Sequence, residues 1–122
     1  MSNNIWSTNE ILEKAGTAEA GHDDKHNINY TFLHQGEHCT LNSVQMAAKD
    51  GIALHRHNDH DEIIQIMEGE GEGIIGDLKY QLKKGDVFFA PKGTPHSLPF
   101  PCKILSIYAP AFDPKNPDRE YL

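Results

Sequence analysis

Residues 52–69 read IALHRHNDHDEIIQIMEG, two apolar runs separated by a polar turn with three histidines around it. In a β-strand the side chains of residues i and i+2 point to the same face. The first run therefore places His55 and His57 on one face and sends Arg56 to the other. The second run begins at Glu62, where an antiparallel return of the chain would bring its carboxylate beside both imidazoles.

The side chains in this stretch are typical of a transition-metal site. Two neutral imidazoles and one carboxylate suit Fe, Mn, Ni, Cu, Co or Zn, and they are too rich in nitrogen for Ca or Mg. His96 is the only histidine after Glu62 and follows the turn PKG, so it would add a fourth ligand. The HxH pair alone favours a solvated polar turn, because a chain with eight histidines produces such pairs by chance.

Short apolar runs recur along the rest of the chain between turns such as KDG, EGEG, KKGD and PKG. The runs are YTFL, TLNSVQMA, IALHRH, EIIQIME, EGIIG, KYQL, DVFFA and ILSIYA. Short strands at nearly even spacing, divided by glycine and charged turns, indicate an antiparallel barrel or sandwich.

The two ends of the chain differ from this pattern. Ser7 and Glu10 have the spacing of a capping box, which predicts a short helix that runs to about Lys14. The following stretch GTAEAGHDDKHN indicates an irregular surface arm. The final residues APAFDPKNPDREYL contain three prolines, so we expect a coil or an extended arm and no closing helix.

Composition excludes several classes of partner. The chain has 122 residues, the size of a single domain, and its 18 acidic and 11 basic side chains give a formal charge of -7. A phosphate backbone would be repelled, so we expect no nucleic-acid partner. No segment approaches the roughly 20 apolar residues of a membrane span. We expect a soluble cytoplasmic protein, in which Cys39 and Cys102 stay reduced.

Two spaced motifs give the metal interpretation its weight. The patterns His55-x-His57-x4-Glu62-x6-Gly69 and Gly85-x5-Pro91-x-Gly93-x2-His96 resemble the two conserved motifs of the cupin superfamily. The fifteen residues between Gly69 and Gly85 resemble the short spacer of compact single-domain members. A match at this many fixed positions is very unlikely to arise by chance.

The resemblance covers about residues 40–110 and implies an all-β fold. We expect a cupin-type double-stranded β-helix (jelly-roll) barrel over residues 29–110, a short N-terminal helix and arm over residues 1–28, and an irregular tail over residues 111–122. The resemblance also implies one divalent transition metal per chain, held by His55, His57, Glu62 and His96. Compact cupins commonly form homodimers, often by exchanging N-terminal strands, so we expect a homodimer.

Two positions depart from the family pattern. The first motif usually has five residues between its first glycine and its first histidine, whereas three separate Gly51 from His55. The second motif commonly ends in Asn, and Phe100 stands there instead. Neither position is a ligand in the family, so the departures affect local loops and leave the metal prediction unchanged.

Residues beyond the four ligands are weaker candidates. His60 could shuttle protons and Asp61 could replace Glu62, although a solvated loop explains both more simply. Tyr108 could be an acid or a hydrogen-bond donor, although a tyrosine of the core or rim is the simpler interpretation. Of the two arginines, Arg56 faces away from the metal by strand parity and Arg119 lies in the tail, which disfavours a polyanionic substrate.

The sequence also predicts two features of the surroundings of the metal. Ile64 and Ile66 share the face of Glu62, which predicts a mostly apolar wall near the metal. Lys92, in the PKG turn, could meet one carboxylate of a substrate.

Three classes of function remain open. Four protein ligands leave one or two metal positions for a substrate, which suits a small-molecule enzyme such as a dioxygenase-like oxygenase, a decarboxylase, an isomerase or a lyase. This is the function that we expect. A non-catalytic module or sensor that binds a small organic molecule is the alternative, and a metal-storage protein is disfavoured because the single site is small.

Overall fold

The computed structural model describes residues 4–122. It contains one α-helix, α1 (Thr8–Ala15), and eleven β-strands. The strands are β1 (Gly21–Asp23), β2 (Ile28–Gln35), β3 (Thr40–Met46), β4 (Ile52–Arg56), β5 (Asp61–Glu68), β6 (Gly71–Ile75), β7 (Leu78–Leu82), β8 (Val87–Ala90), β9 (His96–Leu98), β10 (Cys102–Ala109) and β11 (Glu120–Tyr121).

The strands form two antiparallel sheets that face each other. One sheet has six strands in the order β1-β2-β3-β10-β5-β8, and the other has five in the order β11-β4-β9-β6-β7. Consecutive strands β4 and β5 lie in different sheets, so the turn between them crosses from one wall of the barrel to the other. The expected all-β double-stranded β-helix is confirmed.

Alternation along the strands decides which side chains fill the barrel. In β10 the side chains of Cys102, Ile104, Ser106 and Tyr108 are buried, and those between them are partly exposed. Ile64 and Ile66 of β5 are buried in the same core as Ile104, as strand parity predicts for the face of Glu62. Apolar side chains fill most of the barrel, and the polar ones gather towards the ends of β4, β5 and β10.

The helix α1 covers the outside of the six-stranded sheet. Its capping box is formed as predicted: the Ser7 hydroxyl accepts from the Glu10 N–H, and the Glu10 carboxylate accepts from the Ser7 N–H. Ile11 and Ala15 are buried on the sheet, and the Ser43 hydroxyl donates to the Ile11 carbonyl at 2.6 Å. The apolar side of this short helix therefore packs on the outer face of β3.

The structure adds three short strands to the eight predicted. β1 lies in the stretch predicted to be an irregular arm, and that prediction is wrong there because residues 21–23 pair with β2. β9 carries His96, and β11 lies in the tail and pairs with β4. Each has only two or three residues. So short a segment shows no alternation, and only its pairing with a longer strand reveals it.

Other expectations concern single residues and membranes. Both cysteines are free thiols. Phe100, which replaces the common Asn, is buried in the core against Gly71. Within residues 4–122, no helix is long and apolar enough to cross a membrane.

Gly51 adopts a conformation and a position that only glycine tolerates. Its φ of +59° is left-handed, and an added Cβ would lie 2.0 Å from the Leu98 carbonyl oxygen. Gly76 has a similar φ of +65°, but the nearest atom to an added Cβ there, Cγ2 of Thr94, is 4.0 Å away. Alanine substitutions at the two glycines therefore distinguish the effect of backbone strain from that of a steric clash.

We expect Gly51→Ala to reduce the free energy of unfolding by about 2 kcal/mol more than Gly76→Ala does. Both variants carry the left-handed strain of about 1–2 kcal/mol, and only Gly51→Ala also forces the β9 backbone to move. Urea unfolding of the two variants and the wild type measures the difference. Equal losses would show that the loop after β9 moves away freely.

Candidate metal centre and adjacent cavity

The barrel brings together the four residues that the motifs single out. One ligand atom from each of His55, His57, Glu62 and His96 lies within 4.8 Å of the others, and all four residues are buried. His55 on β4 pairs directly with His96 on β9. Glu62 comes from the opposite sheet, where it pairs with Tyr108 on β10. The cluster therefore joins the two walls of the barrel.

Each of the three imidazoles is held by a backbone carbonyl. The Nδ1 atom of His55 lies 2.7 Å from the Ala53 oxygen, and that of His96 lies 3.0 Å from the Thr94 oxygen. The Nδ1 atom of His57 bonds to the carbonyl of Asp118 in the tail. Because a carbonyl can only accept, each Nδ1 carries the hydrogen and donates it. In the neutral imidazoles each Nε2 therefore presents a lone pair, the arrangement that a metal ligand requires.

The lone pairs converge on a buried carboxylate. The Nε2 atoms of His57 and His96 each lie 3.0 Å from Oε1 of Glu62, and the Ser106 hydroxyl donates to Oε2. Lone pairs on nitrogen and oxygen repel each other at this distance unless a proton or another cation lies between them. The geometry of the cluster therefore requires added positive charge.

Electrostatics within the cluster follow from burial and proximity. Burial raises the pKa of Glu62, but the hydrogen bonds that His57 and His96 donate when their Nε2 atoms are protonated outweigh it and hold this pKa well below its usual value. Burial and the charge of His96 lower the pKa of His55 to about 3, so His55 is neutral at ordinary pH. Burial lowers the pKa of His57, but Glu62 outweighs it and the net shift is upward. The cluster thus holds one carboxylate and at least one neutral imidazole.

A small cavity lies among these side chains. Its volume is about 20 Å³, and its lining includes all four residues of the cluster. One water-sized sphere needs roughly 10–15 Å³, so the space suits a single small ion or water. Three imidazole nitrogens and one carboxylate oxygen around such a space fit a divalent transition metal.

His60 is not a solvated loop residue, contrary to the simpler interpretation of the sequence. Only 7% of its surface is exposed, and its ring stacks on His57 at 4.4 Å between centroids. Its Nδ1 lies 3.0 Å from Oδ2 of Asp118, and its buried Nε2 has no hydrogen-bond partner within residues 4–122. Burial and the charge of His57 lower the pKa of His60. The tail covers this histidine, which is why its neighbours in sequence gave no sign of burial.

Asp61 and Lys92 do not reach the cluster. The Asp61 carboxylate accepts from the backbone N–H of Lys92 at 2.9 Å, which ties the turn after β8 to the start of β5. Lys92 is exposed, and neither residue lines the small cavity among the cluster side chains. The predicted alternatives of Asp61 as a ligand and Lys92 as a carboxylate partner therefore have no geometric support.

Tyr108 is buried beside the cluster. It faces the interior with Ile104 and Ser106, and its ring lies 4.5 Å from that of His60 between centroids. Burial and the negative charge of Glu62 raise the pKa of Tyr108 to about 12. Tyr108 therefore keeps its proton at ordinary pH and can donate a hydrogen bond to a ligand.

A second, larger cavity adjoins the cluster. Its volume is about 580 Å³, within the usual range of small-molecule sites. His57, Tyr30, Tyr108 and Arg119 line both cavities, so the larger cavity lies directly beside the cluster. Its walls are largely aromatic, formed by Tyr30, Phe32, Tyr108, Phe112 and Tyr121.

The tail places Arg119 in this cavity, which the sequence did not reveal. Arg119 donates to the Tyr30 hydroxyl, and its guanidinium lies 5.3 Å from the centre of that ring. The sequence disfavours a polyanionic substrate because Arg119 lies in the tail, whereas the structure brings the tail and Arg119 to the cavity. Arg56 points outward as predicted and pairs with Glu120. Arg119 reaches the cavity because β11 pairs with β4, which brings the tail back across the open end of the barrel.

Asp118 connects the tail to the ligand-bearing turn. Its carboxylate accepts the backbone N–H groups of Asn58 at 2.8 Å and Asp59 at 2.6 Å, and it also contacts His60. Burial raises the pKa of Asp118, but these N–H groups outweigh it and the net shift is downward. With its carbonyl on His57, Asp118 orients one predicted metal ligand and the turn that follows it.

We expect Asp118→Ala to weaken metal binding about 10- to 100-fold and to lower the free energy of unfolding by roughly 2–3 kcal/mol. The variant removes a carboxylate that accepts two backbone N–H groups and orients the turn beside His57. Competition with a coloured chelator for added Ni²⁺ measures the first effect, and urea unfolding measures the second.

Asp113→Ala is the matched control, since that tail carboxylate contacts only the nearby Lys115 N–H. If both variants bound Ni²⁺ as the wild type does, Asp118 would have no role in positioning the cluster.

Solved structures with this fold include proteins of different kinds. KdgF from Halomonas sp. is 23% identical, with a TM-score of 0.65 over 75% of this chain and 86% of that one. Pac13, described as a unique nucleoside dehydratase, is 17% identical, with a TM-score of 0.67 over 82% of each chain. A Streptomyces Pac13 variant has also been solved with uridine. At these identities the likeness shows the fold alone.

Sequence comparison gives the family. An uncharacterized protein of Methanocaldococcus jannaschii is 36% identical over 63 residues, which are 48% of this chain and 50% of the relative. The chain thus spans about half the length of the curated relatives that it matches. The family model described as the cupin domain matches residues 42–108, which include all four residues of the cluster and most of the barrel. The chain therefore belongs to the cupin family.

Proposed function

We propose that this cupin is a metal-dependent enzyme that acts on a small organic molecule. The observation that carries the proposal is the anchoring of His55, His57 and His96 by their Nδ1 atoms, which leaves their Nε2 atoms available as ligands in a cluster with Glu62. A structural role for the cluster would not require the 580 Å³ cavity that opens beside it.

The four residues would hold one divalent transition metal, of the set Fe, Mn, Ni, Cu, Co and Zn. Bound there, such an ion would supply Lewis-acid chemistry or a site for O₂. Four protein ligands leave room for one or two further ligands on an ion that accepts five or six. The protein would therefore bind the ion and keep a position free for substrate.

Residues of the cavity support proton transfer. With Nδ1 donating to Asp118, the Nε2 of His60 presents a lone pair and has no other partner among residues 4–122. An imidazole that a carboxylate orients in this way is the arrangement of a general base. Tyr108 keeps its proton and stands beside His60, where it can donate to a substrate oxygen. We therefore favour an isomerase or lyase reaction of the kind that begins with removal of a carbon-bound proton over oxygenase chemistry.

We expect close to one transition metal per chain in protein purified without chelators, and none in a His57→Ala, Glu62→Ala double variant. Elemental analysis of both proteins is the measurement. A double variant that changes the exposed Glu37 and His38 to alanine has the same composition and should keep its metal. A wild type that stays empty even with added metal would leave a non-catalytic binding module as the function.

The same preparations test catalysis. In D₂O the metal-loaded wild type should exchange carbon-bound hydrogen for deuterium in small 2-oxo and 2-hydroxy compounds, followed by proton NMR. His60→Gln should reduce the exchange at least about 100-fold with its metal content unchanged. Oxygen uptake without exchange would contradict the proton-transfer proposal and favour an oxygenase.

We also propose a cytoplasmic homodimer. Strand β8 ends the six-stranded sheet with one edge unpaired among the described strands, and Ile63, Val87 and Phe89 on β5 and β8 are exposed apolar side chains. An open apolar edge is commonly covered by another chain.

Light scattering at micromolar concentration should give twice the chain mass for the wild type, and Phe89→Glu should reduce the measured mass to that of one chain. Leu78→Glu, on the other sheet, is the control.

A further inference from the structure

We infer that the larger cavity binds a small aromatic carboxylate that carries a hydroxyl group, with Arg119 as the partner of the carboxylate and Asn42 as the partner of the hydroxyl. This inference deepens the proposed function, because the cavity adjoins the proposed metal site. It rests on unpaired buried polar groups, on the charges around them and on the aromatic walls.

Asn42 is the clearest sign of a missing ligand. It is fully buried on β3, its inward neighbour across the sheet is Ser106, and it lines the cavity. Neither its amide nitrogen nor its amide oxygen has a hydrogen-bond partner of good geometry among the described residues, and its contact with the Tyr108 hydroxyl is only a weak hydrogen bond that opposes the rise in the pKa of Tyr108. Buried polar groups are nearly always paired, because an unpaired one has lost its hydrogen bonds to water without gaining others. An amide with a free donor and a free acceptor matches a hydroxyl, which can accept and donate.

Arg119 supplies the positive charge. Across the part of the chain that the structure describes, it is the only arginine or lysine that lines the cavity. Its Nη1 donates to Tyr30, whereas its buried Nε has no partner in residues 4–122. A guanidinium with a free Nε–H and a carboxylate form the paired hydrogen bonds that arginine favours.

The acidic groups near Arg119 are already engaged. Oδ2 of Asp23 lies 3.9 Å from Nη1, but both oxygens of that carboxylate bond to His26. The Asp118 carboxylate accepts from two backbone N–H groups and contacts His60. Neither carboxylate forms a hydrogen bond with Arg119 that would close the cavity to an anion.

The remaining walls define the rest of the ligand. Tyr30, Phe32, Tyr108 and Phe112 surround the space between Arg119 and Asn42. Aromatic side chains pack favourably on a ring, either offset or edge to face. A six-membered aromatic ring with a short hydroxy-acid side chain has the features that these groups would recognise, and mandelate is the probe that combines them.

Matched probes test each part. By isothermal titration calorimetry on the protein as purified, we expect mandelate to bind at least about tenfold more tightly than mandelamide, which lacks the charge. Arg119→Gln should remove that preference. Arg56→Gln should keep it, since Arg56 also pairs with the tail but points away from the cavity. No preference in the wild type, or a preference that survives in Arg119→Gln, would overturn the inference.

Asn42→Leu tests the hydroxyl partner without depending on the arginine variant. The wild type should prefer mandelate to phenylacetate, which lacks the hydroxyl, and Asn42→Leu should bind the two equally. The midpoint of thermal unfolding should stay the same or rise, because the change removes two unpaired buried polar atoms. A retained preference for mandelate would show that Asn42 does not contact the hydroxyl.

Treatment with a chelator separates this inference from the proposed metal. If the preference for mandelate over mandelamide disappears on chelation and survives in Arg119→Gln, the metal is the carboxylate partner: the inference fails and the proposed function is supported. If the preference survives chelation and disappears in Arg119→Gln, the inference stands even for a protein without metal.

Discussion

The architecture of the site depends on one constraint: a buried carboxylate, Glu62, faces imidazole nitrogens whose other ring nitrogens are held by the backbone. A charged group in a barrel core is costly unless neighbouring groups compensate it. Here the compensation comes from histidines on the opposite sheet and from Ser106 on the adjacent strand. The two sheets therefore meet at a polar cluster at one end and at an apolar core at the other.

The backbone carbonyls that accept from the Nδ1 atoms orient the imidazole rings of this cluster. Ala53 and Thr94 are backbone partners within two residues of the histidines that they hold, so the strands themselves orient those rings. His57 differs, because its partner is Asp118, 61 residues away in the tail. The tail is thus part of the site: it orients one imidazole, fixes the turn before Glu62, buries His60 and brings Arg119 into the larger cavity. A substitution in the tail should therefore change what the site binds as directly as a substitution in the barrel.

The sequence predicts the structure correctly where the signal is a strand periodicity or a fixed spacing between residues. Strand parity placed His55 with His57 and Glu62 with Ile64, and the structure buries each of these on the inner face. The capping box of Ser7 and Glu10 formed because it involves residues only three apart. His60 and Arg119 were misjudged, since their surroundings come from segments remote in sequence. Asn42 was overlooked for the same reason, because a single polar residue in a strand is unremarkable until both its amide atoms are found buried and unpaired.

By itself the sequence determined the class of fold, the positions of the longer strands and the identity of the four clustered residues, because alternation and motif spacing are local properties. The tertiary structure decided what surrounds that cluster. Pairing of β11 with β4 turns an apparently irregular tail into a wall of the cavity, and no local pattern predicts a two-residue strand. The character of the ligand therefore depends on contacts between distant segments, which form only when the barrel closes.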